Sequence, residues 1–156
     1  MENEPLKIGR PAPDFELMDE AKNKTSLQSL RGKRVVLLFY PMDFSPTCTT
    51  EHCAFGPALP ELKSDANTVI YGVSTDSPFS HAEYKQKYSI PYSLLSDPTR
   101  KMVKAYGMFA GEEPYNCGKR GTVIIDKDGL VSAWQEVPMR EARDVGKLKE
   151  LIAAAQ

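Results

Sequence analysis

The sequence predicts an α/β fold with a central mixed β-sheet flanked by helices. Three observations lead to this class: an unbroken apolar run at 35–40, strand-like and helix-like segments that alternate along the chain, and a hairpin pattern at 122–134. A continuous apolar run with β-branched and aromatic residues is typical of a central strand covered on both faces. Alternation favours parallel pairing in the sheet, and the late hairpin adds antiparallel strands.

The elements follow from local patterns. Six segments have alternating or continuously apolar strand character: 14–17, 35–40, 68–73, 92–95, 122–126 and 130–134. Lys127-Asp128-Gly129 is a turn signal between the last two. Helical spacing predicts one turn at 27–30 and three helices at 78–88, 100–106 and 145–155. A further helix is predicted to begin at 45–46.

The helix that begins near residue 46 has a clear start signal. Ser45 followed by Pro46 is typical of an N-cap residue and a first helical residue. Gly56-Pro57 is expected to bend or interrupt this helix before Leu62, because proline lacks the N–H group and clashes with the preceding turn.

Composition excludes several classes of protein. The 156 residues suit one domain, here 1–156, and a hydrophobic fraction of 41% with 26% charged residues is ordinary for a globular chain. The chain has 20 Lys and Arg residues and 21 Asp and Glu residues, so it has no excess of positive charge with which to bind nucleic acid. The longest apolar run is far shorter than the roughly 20 residues that span a bilayer. We therefore expect neither a nucleic-acid nor a membrane partner.

The start of the chain and its cysteines predict a cytoplasmic location. Met-Glu-Asn-Glu-Pro is acidic and polar, whereas a secretory signal needs a positive and then an apolar stretch. The three cysteines are few and odd in number, which is typical of a reducing compartment. In a reducing compartment a cysteine is more often catalytic or unreactive than part of a structural disulfide.

Cys48 is the strongest candidate for chemistry. It is the third residue of the helix predicted to begin at Pro46, where N–H groups lack partners and the helix dipole places about half a positive charge. The pKa of a cysteine at a helix N-terminus can fall from about 8.5 to roughly 3.5–7.5, which makes its sulfur a nucleophile at neutral pH. The alternative is a buried structural cysteine that behaves as a small hydrophobe.

The segment Tyr40-Pro41-Met42-Asp43-Phe44-Ser45-Pro46-Thr47-Cys48 resembles the active-site signature of the peroxiredoxins, Pro-x-x-x-Thr/Ser-x-x-Cys. The similarity is greatest to the Q-type, or bacterioferritin-comigratory, branch, in which a second cysteine can follow five residues after the first, as Cys53 does. Four more segments match this family in order: Gly9-x-x-Ala12-Pro13-Asp14-Phe15, Gly72-Val73-Ser74-x-Asp76-Ser77, Leu94-Leu95-Ser96-Asp97-Pro98 and Arg120-x-Thr122-x-Ile124-Ile125-Asp126. The resemblance thus covers nearly the whole chain.

The resemblance implies a thioredoxin-like fold and the reduction of hydroperoxides. Cys48 would be the peroxidatic thiolate that becomes a sulfenic acid, and Arg120 would stabilise the thiolate and polarise the peroxide. Ser45 would hold the thiolate and the peroxide through its hydroxyl, although the same oxygen is also a candidate helix cap. Pro41 would shield the pocket. Glu51, one turn after Cys48, is expected either to orient Arg120 or only to add a favourable charge to the first turn.

The resemblance also implies that Cys53 resolves the sulfenic acid as a Cys48–Cys53 disulfide. Two residues five apart in an ideal helix have Cα atoms roughly 8.7 Å apart, whereas a disulfide needs about 7 Å or less. The two cysteines therefore cannot join while both are helical, and we expect the first turns to unwind on oxidation. The alternative for Cys53 is a spectator. Cys117, three residues before Arg120, is expected to be an unpaired loop thiol rather than the resolving residue.

Weaker signals leave other functions open. Cys48, His52, Cys53 and Cys117 are residue types that bind zinc, but their spacing lacks the usual paired cysteines, and His52 is otherwise expected to be a solvated helix residue. The alternatives to a peroxidase are a thiol-disulfide oxidoreductase or a non-catalytic redox sensor of the same fold. We expect no metal or organic cofactor, thioredoxin or a similar dithiol as reductant, and a monomer or weak dimer.

Overall fold

A computed structural model describes residues 3–63 and 65–155 and has a seven-stranded mixed sheet at its centre. The strands are β1 (Glu16–Met18), β2 (Lys24–Ser26), β3 (Arg34–Phe39), β4 (Thr68–Ser74), β5 (Ser93–Ser96), β6 (Arg120–Ile125) and β7 (Val131–Val137). Their order is β2-β1-β5-β4-β3-β6-β7, with β3, β4 and β5 mutually parallel and the other pairs antiparallel. The mixed sheet that the sequence predicts is confirmed.

Four α-helices and a short 3-10 helix at Gln28–Leu30 accompany the sheet. The α-helices are α1 (Pro46–Lys63), α2 (Pro78–Tyr88), α3 (Lys101–Ala105) and α4 (Val145–Ala154). Within residues 3–63 and 65–155, no helix combines the length and apolar character needed to cross a membrane.

Strand β3 forms the centre of the core because all six of its residues are buried. Its side chains alternate between two apolar clusters on opposite faces of the sheet, as the period of a strand requires. Val35, Leu37 and Phe39 pack with residues of α3 and the 3-10 helix. Val36 and Leu38 pack with residues of α1, α2 and α4, including Cys48.

The pairing of β3 with β6 brings distant residues together. These strands are antiparallel, and Phe39 at the end of β3 lies opposite Gly121 at the start of β6. Arg120 therefore lies beside the loop that leads from β3 into α1. The sheet register, rather than local sequence, places a guanidinium at the first turn of that helix.

Two local features differ from what the sequence predicts. Helix α1 continues through Gly56-Pro57 to Lys63 and also contains Pro60. Both prolines are exposed, so water can hydrate the carbonyls that lose a helical partner, while Phe55 and Leu62 on the other face remain buried in the core. The sequence also does not predict β2 at 24–26, a polar segment without a strand pattern that pairs with β1; the strand predicted at 14–17 is found at Glu16–Met18.

Candidate active site

Cys48 lies in the first turn of α1 with its side chain fully buried. The carbonyl of Ser45 accepts the N–H of Thr49 at 3.0 Å, which makes Ser45 the last residue before the helix. Arg120 Nη2 donates to Cys48 Sγ at 3.3 Å. The sulfur thus contacts a guanidinium and belongs to the first turn of a helix, and positive charge from both sources stabilises an anion at this position.

Arg120 is held in place by two acceptors besides the sulfur. Its Nε and Nη2 donate to the carbonyl of Met139 at 3.1 and 2.9 Å. Its Nη1 donates to Glu51 Oε1 in a close, fully buried ion pair. The planar guanidinium can satisfy these acceptors together because its donors are fixed in one fork.

A second arginine, Arg143, completes the ion-pair network and was not among the residues that the sequence predicted. Its Nε and its backbone N–H each donate to Glu51 Oε2 at 2.7 Å, and its Nη1 donates to the carbonyl of Gly121 at 2.6 Å. Burial raises the pKa of Glu51, but the hydrogen bonds and charges of Arg143 and the charge of Arg120 outweigh it, so the pKa is lowered. Glu51 is therefore an anion that joins the two arginines.

Ser45 and Pro41 line the approach to the sulfur. The Ser45 hydroxyl is buried and has no hydrogen-bond partner within the described part of the chain, so the expected side-chain cap is wrong. It is free to accept from or donate to a small molecule. Both residues border a cavity of about 460 Å³. The cavity is lined by Pro41, Met42, Asp43, Phe44, Ser45, Pro46, Thr47, Tyr115, Arg120, Met139 and Arg140.

Comparison with known proteins identifies the family. Residues 8–134 match the model of the AhpC/TSA family. The chain belongs to the AhpC/TSA family. It is 36% identical over 143 residues to peroxiredoxin Bcp of Bacillus subtilis, an alignment that covers 87% of this chain and 89% of that protein.

Two further relatives support the placement in this family. The mitochondrial thioredoxin-dependent peroxide reductase of Drosophila melanogaster is 35% identical over 161 residues, covering 97% of this chain and 68% of that protein. The crystal structure of peroxidoxin BcpB from Mycobacterium tuberculosis superposes with a TM-score of 0.81 at 28% identity, covering 97% of this chain and 99% of that one. The thioredoxin-like fold expected from the resemblance and the relationship to the Q/Bcp branch of AhpC/TSA proteins are confirmed.

In this AhpC/TSA chain all three cysteines are free. Cys53 is exposed and lies in the same unbroken helix as the buried Cys48. The helical spacing of the two residues keeps their Cα atoms too far apart for a disulfide. The pairing of Cys48 with Cys53 stays a prediction that requires α1 to unwind.

Cys117 is the unpaired loop thiol that the sequence predicts, and its side chain is buried. It precedes β6, and its carbonyl accepts the N–H of Ala110 at 3.0 Å. Burial raises the pKa of its thiol, and the nearby Cys48 raises it further. Both effects favour the neutral thiol, which is a poor nucleophile.

The expectation that His52 is solvated is wrong, because only 1% of its surface is exposed. Its ring lies among Tyr40, Tyr84 and Tyr92, and its Nδ1 forms a hydrogen bond with Tyr92 Oη. Burial, aided by the charge of Arg143, lowers the pKa of His52 to about 3. His52 is thus a neutral part of the core.

The four residues considered for zinc do not form a ligand cluster. Within residues 3–63 and 65–155, the one group of three or more such side chains with donor atoms close together is Asp43, Asp76 and His81. Asp43 belongs to the loop that precedes α1, Asp76 follows β4, and His81 lies in α2.

Proposed function

We propose that this chain is a thiol-dependent peroxidase that reduces hydrogen peroxide and organic hydroperoxides through Cys48. The observation that carries the proposal is the 3.3 Å contact between Arg120 Nη2 and Cys48 Sγ at a helix N-terminus, beside a cavity of about 460 Å³. Membership of the AhpC/TSA family supports it. Two relatives are named peroxiredoxin and thioredoxin-dependent peroxide reductase, which agrees with this chemistry.

In the first step the Cys48 thiolate attacks one oxygen of the peroxide. The S–O bond forms as the O–O bond breaks, the sulfur loses two electrons to become a sulfenic acid, and the leaving alkoxide or hydroxide takes up a proton. Arg120 stabilises the negative charge that moves from sulfur to the leaving oxygen, since its donors are already fixed. The unpartnered hydroxyl of Ser45 orients the peroxide, and Pro41 limits the access of water.

In the second step the Cys53 thiol attacks the Cys48 sulfenic acid. The S–S bond forms and water leaves, which requires residues 46–53 to unwind first. A dithiol such as thioredoxin then reduces the disulfide by thiol–disulfide exchange and returns both cysteines to thiols. The sulfur atoms carry the electrons throughout, so this cycle uses no metal or organic cofactor.

The proposal also covers the cellular location of the enzyme, its oligomeric state and its binding partners. We infer a cytoplasmic location from the few, unpaired cysteines, because reducing compartments keep thiols free. A monomer or weak dimer and the absence of a nucleic-acid partner belong to the same proposal, the latter because the net charge is −1.

A coupled assay tests the function. Peroxide-dependent oxidation of NADPH through thioredoxin reductase and thioredoxin is measured for the wild type and for Cys48→Ser, Cys53→Ser and Cys117→Ser. We expect Cys48→Ser to lose turnover and Cys53→Ser to react once but not turn over with thioredoxin. Cys117→Ser serves as the control that keeps full activity. Turnover that survives Cys48→Ser, or insulin reduction without peroxide consumption, would overturn the proposal.

A further inference from the structure

The loop that precedes α1 is anchored by the buried carboxylate of Asp43. Three side chains approach this carboxylate: Tyr40 Oη donates to Oδ1 at 2.7 Å, Ser80 Oγ donates to Oδ2 at 2.8 Å, and His81 Nδ1 lies 2.7 Å from Oδ2. The backbone N–H of Asp43 donates to Asp76 Oδ2 at 2.9 Å. Asp43 thus connects the loop to Tyr40 directly after β3, to Asp76 after β4, and to Ser80 and His81 of α2.

His81 is buried, and each of its ring nitrogens lies within hydrogen-bond distance of an oxygen atom. The second ring nitrogen, Nε2, lies 3.1 Å from the carbonyl of Leu95, which can only accept, so Nε2 carries a proton. Nδ1 faces a carboxylate that already accepts from two hydroxyls. Burial, followed by the charge of Asp43, raises the pKa of Tyr40 well above its usual value, so its phenol stays a donor. The imidazole thus lies between two acceptors, the carbonyl of Leu95 and the carboxylate of Asp43.

The cluster is a hydrogen-bond network rather than a cation site. Asp76 Oδ2 already accepts from Ser74 Oγ at 2.6 Å and from the backbone of Asp43. The Asp43 carboxylate accepts from three side chains, and both nitrogens of His81 are engaged. A bound ion would have to displace protein donors from both carboxylate oxygens of Asp43 and from Asp76 Oδ2.

This anchor lies next to the reacting groups. Phe44, between Asp43 and Ser45, has φ +67°, a left-handed conformation that is unfavourable for a residue with a side chain and persists only where the surroundings hold it. Asp43 fixes one side of this turn. The other side carries the Ser45 hydroxyl and the first turn of α1 with Cys48. Losing the anchor would relax Phe44 and release the segment that has to unwind.

We propose that His81 is a positioning residue whose hydrogen bond to Asp43 holds the loop before α1 in the arrangement that reacts with peroxide and resists unwinding. This inference rests on the proposed function. The pair acts on the two steps in opposite directions: it speeds the attack of Cys48 on peroxide and slows the formation of the Cys48–Cys53 disulfide. It therefore prolongs the life of the sulfenic acid, which leaves more time for oxidation to sulfinic acid.

The test compares His81→Gln with His81→Asn. An asparagine amide occupies the position of Nδ1 and can still donate to Asp43, whereas a glutamine amide reaches the position of Nε2 and leaves Asp43 without this donor. Peroxide reactivity is measured by competition with a haem peroxidase, and disulfide formation by rapid quench with alkylation and mass spectrometry. Glu83→Gln, exposed on the same helix, is the control.

We expect His81→Gln to react with peroxide about tenfold more slowly, as the loss of a charge-assisted hydrogen bond implies, and to form the disulfide several-fold faster with less sulfinic acid. His81→Asn should lie close to the wild type. If both rates change in the same direction, if neither changes, or if the two variants are equally impaired, the proposal is wrong.

Ser80→Ala removes one hydroxyl from the same carboxylate and provides a milder variant if His81→Gln does not fold. It should slow the reaction with peroxide and speed disulfide formation by only a few-fold, because Tyr40 and His81 still contact the carboxylate. Unchanged rates would overturn the proposal. The wild type is an internal reference in each run. If the wild type consumes no peroxide, the proposed function fails as well, whereas a normal wild type with an unaltered His81→Gln overturns the positioning role alone.

Discussion

At the scale of the residue, Arg120 connects the sulfur to the rest of the site. Its guanidinium contacts Cys48, Glu51 and the carbonyl of Met139 at once. Glu51 is in turn fixed by Arg143, so the position of the donor that faces the sulfur depends on a carboxylate and a second guanidinium. A preorganised donor of this kind stabilises charge in a transition state without reorganising during the reaction.

Replacement of Arg120 by lysine tests this geometry. An ammonium keeps the charge but cannot reach the sulfur, Glu51 and Met139 from one rigid fork. We expect Arg120→Lys to lower the rate constant for peroxide reduction by about 10²–10³, the cost of removing one fixed donor from a reacting centre. Single-turnover peroxide consumption measures it, with the exposed Arg10→Lys as the matched control. A rate within threefold of the wild type would show that charge alone suffices.

At the scale of the element, the prolines of α1 affect its first two turns differently. In the intact helix Pro57 has no N–H to donate to the carbonyl of Cys53, and a proline in a helix interior costs about 3 kcal/mol. If residues 46–53 unwind, the helix that remains begins near Ala54, and Pro57 then lies in its first turn. N–H groups there have no partner anyway, so the cost disappears. Pro57 thus lowers the free energy of unwinding through Cys53.

Restoring this hydrogen bond should slow the second step of the cycle. We expect Pro57→Ala to form the Cys48–Cys53 disulfide about tenfold more slowly, a fraction of the full proline cost. Peroxide attack on Cys48 should remain unchanged, because the folded helix is the reactive state. Pro60→Ala is the control: residue 60 is interior to the helix before and after unwinding, so its rate should match the wild type. Rapid quench with alkylation measures both variants, and equal slowing would contradict this role of Pro57.

At the scale of the whole molecule, the sequence predicted those secondary-structure elements that depend on residues close together in the chain. Strand β3, helix α2 and the hairpin of β6 and β7 were predicted because each depends on residues a few positions apart. The meeting of Cys48 and Arg120, 72 residues apart, was expected only from the family resemblance. Arg143 lies in a polar stretch that looks like an ordinary loop, and only the folded chain brings it to Glu51 and to the carbonyl of Gly121. His52 gave no signal of burial because the docking of α1 on the sheet decides which face is covered.

The buried His52 makes the stability of the whole fold depend on pH. An unfolded histidine has a pKa of about 6.5, whereas burial lowers that of His52 to about 3. The folded state thus requires the neutral ring, so this contribution to stability is complete above pH 6.5 and is lost as the pH falls toward 3. From the linkage between protonation and unfolding, the loss reaches about 3 kcal/mol at pH 4.

Urea unfolding at pH 7, 5.5 and 4 measures this loss in the wild type and in His52→Asn. Asparagine places an amide where the ring nitrogen meets Tyr92 but does not titrate. Carboxylates such as Glu51, whose pKa is lowered in the folded state, also reduce the free energy of unfolding in acid. Because both proteins contain them, their contribution cancels in the difference between the two proteins. We expect the free energy of unfolding of the wild type, relative to that of His52→Asn, to fall by about 3 kcal/mol between pH 7 and pH 4. A difference that stays constant over this range would mean that His52 accepts a proton inside the fold without opening it.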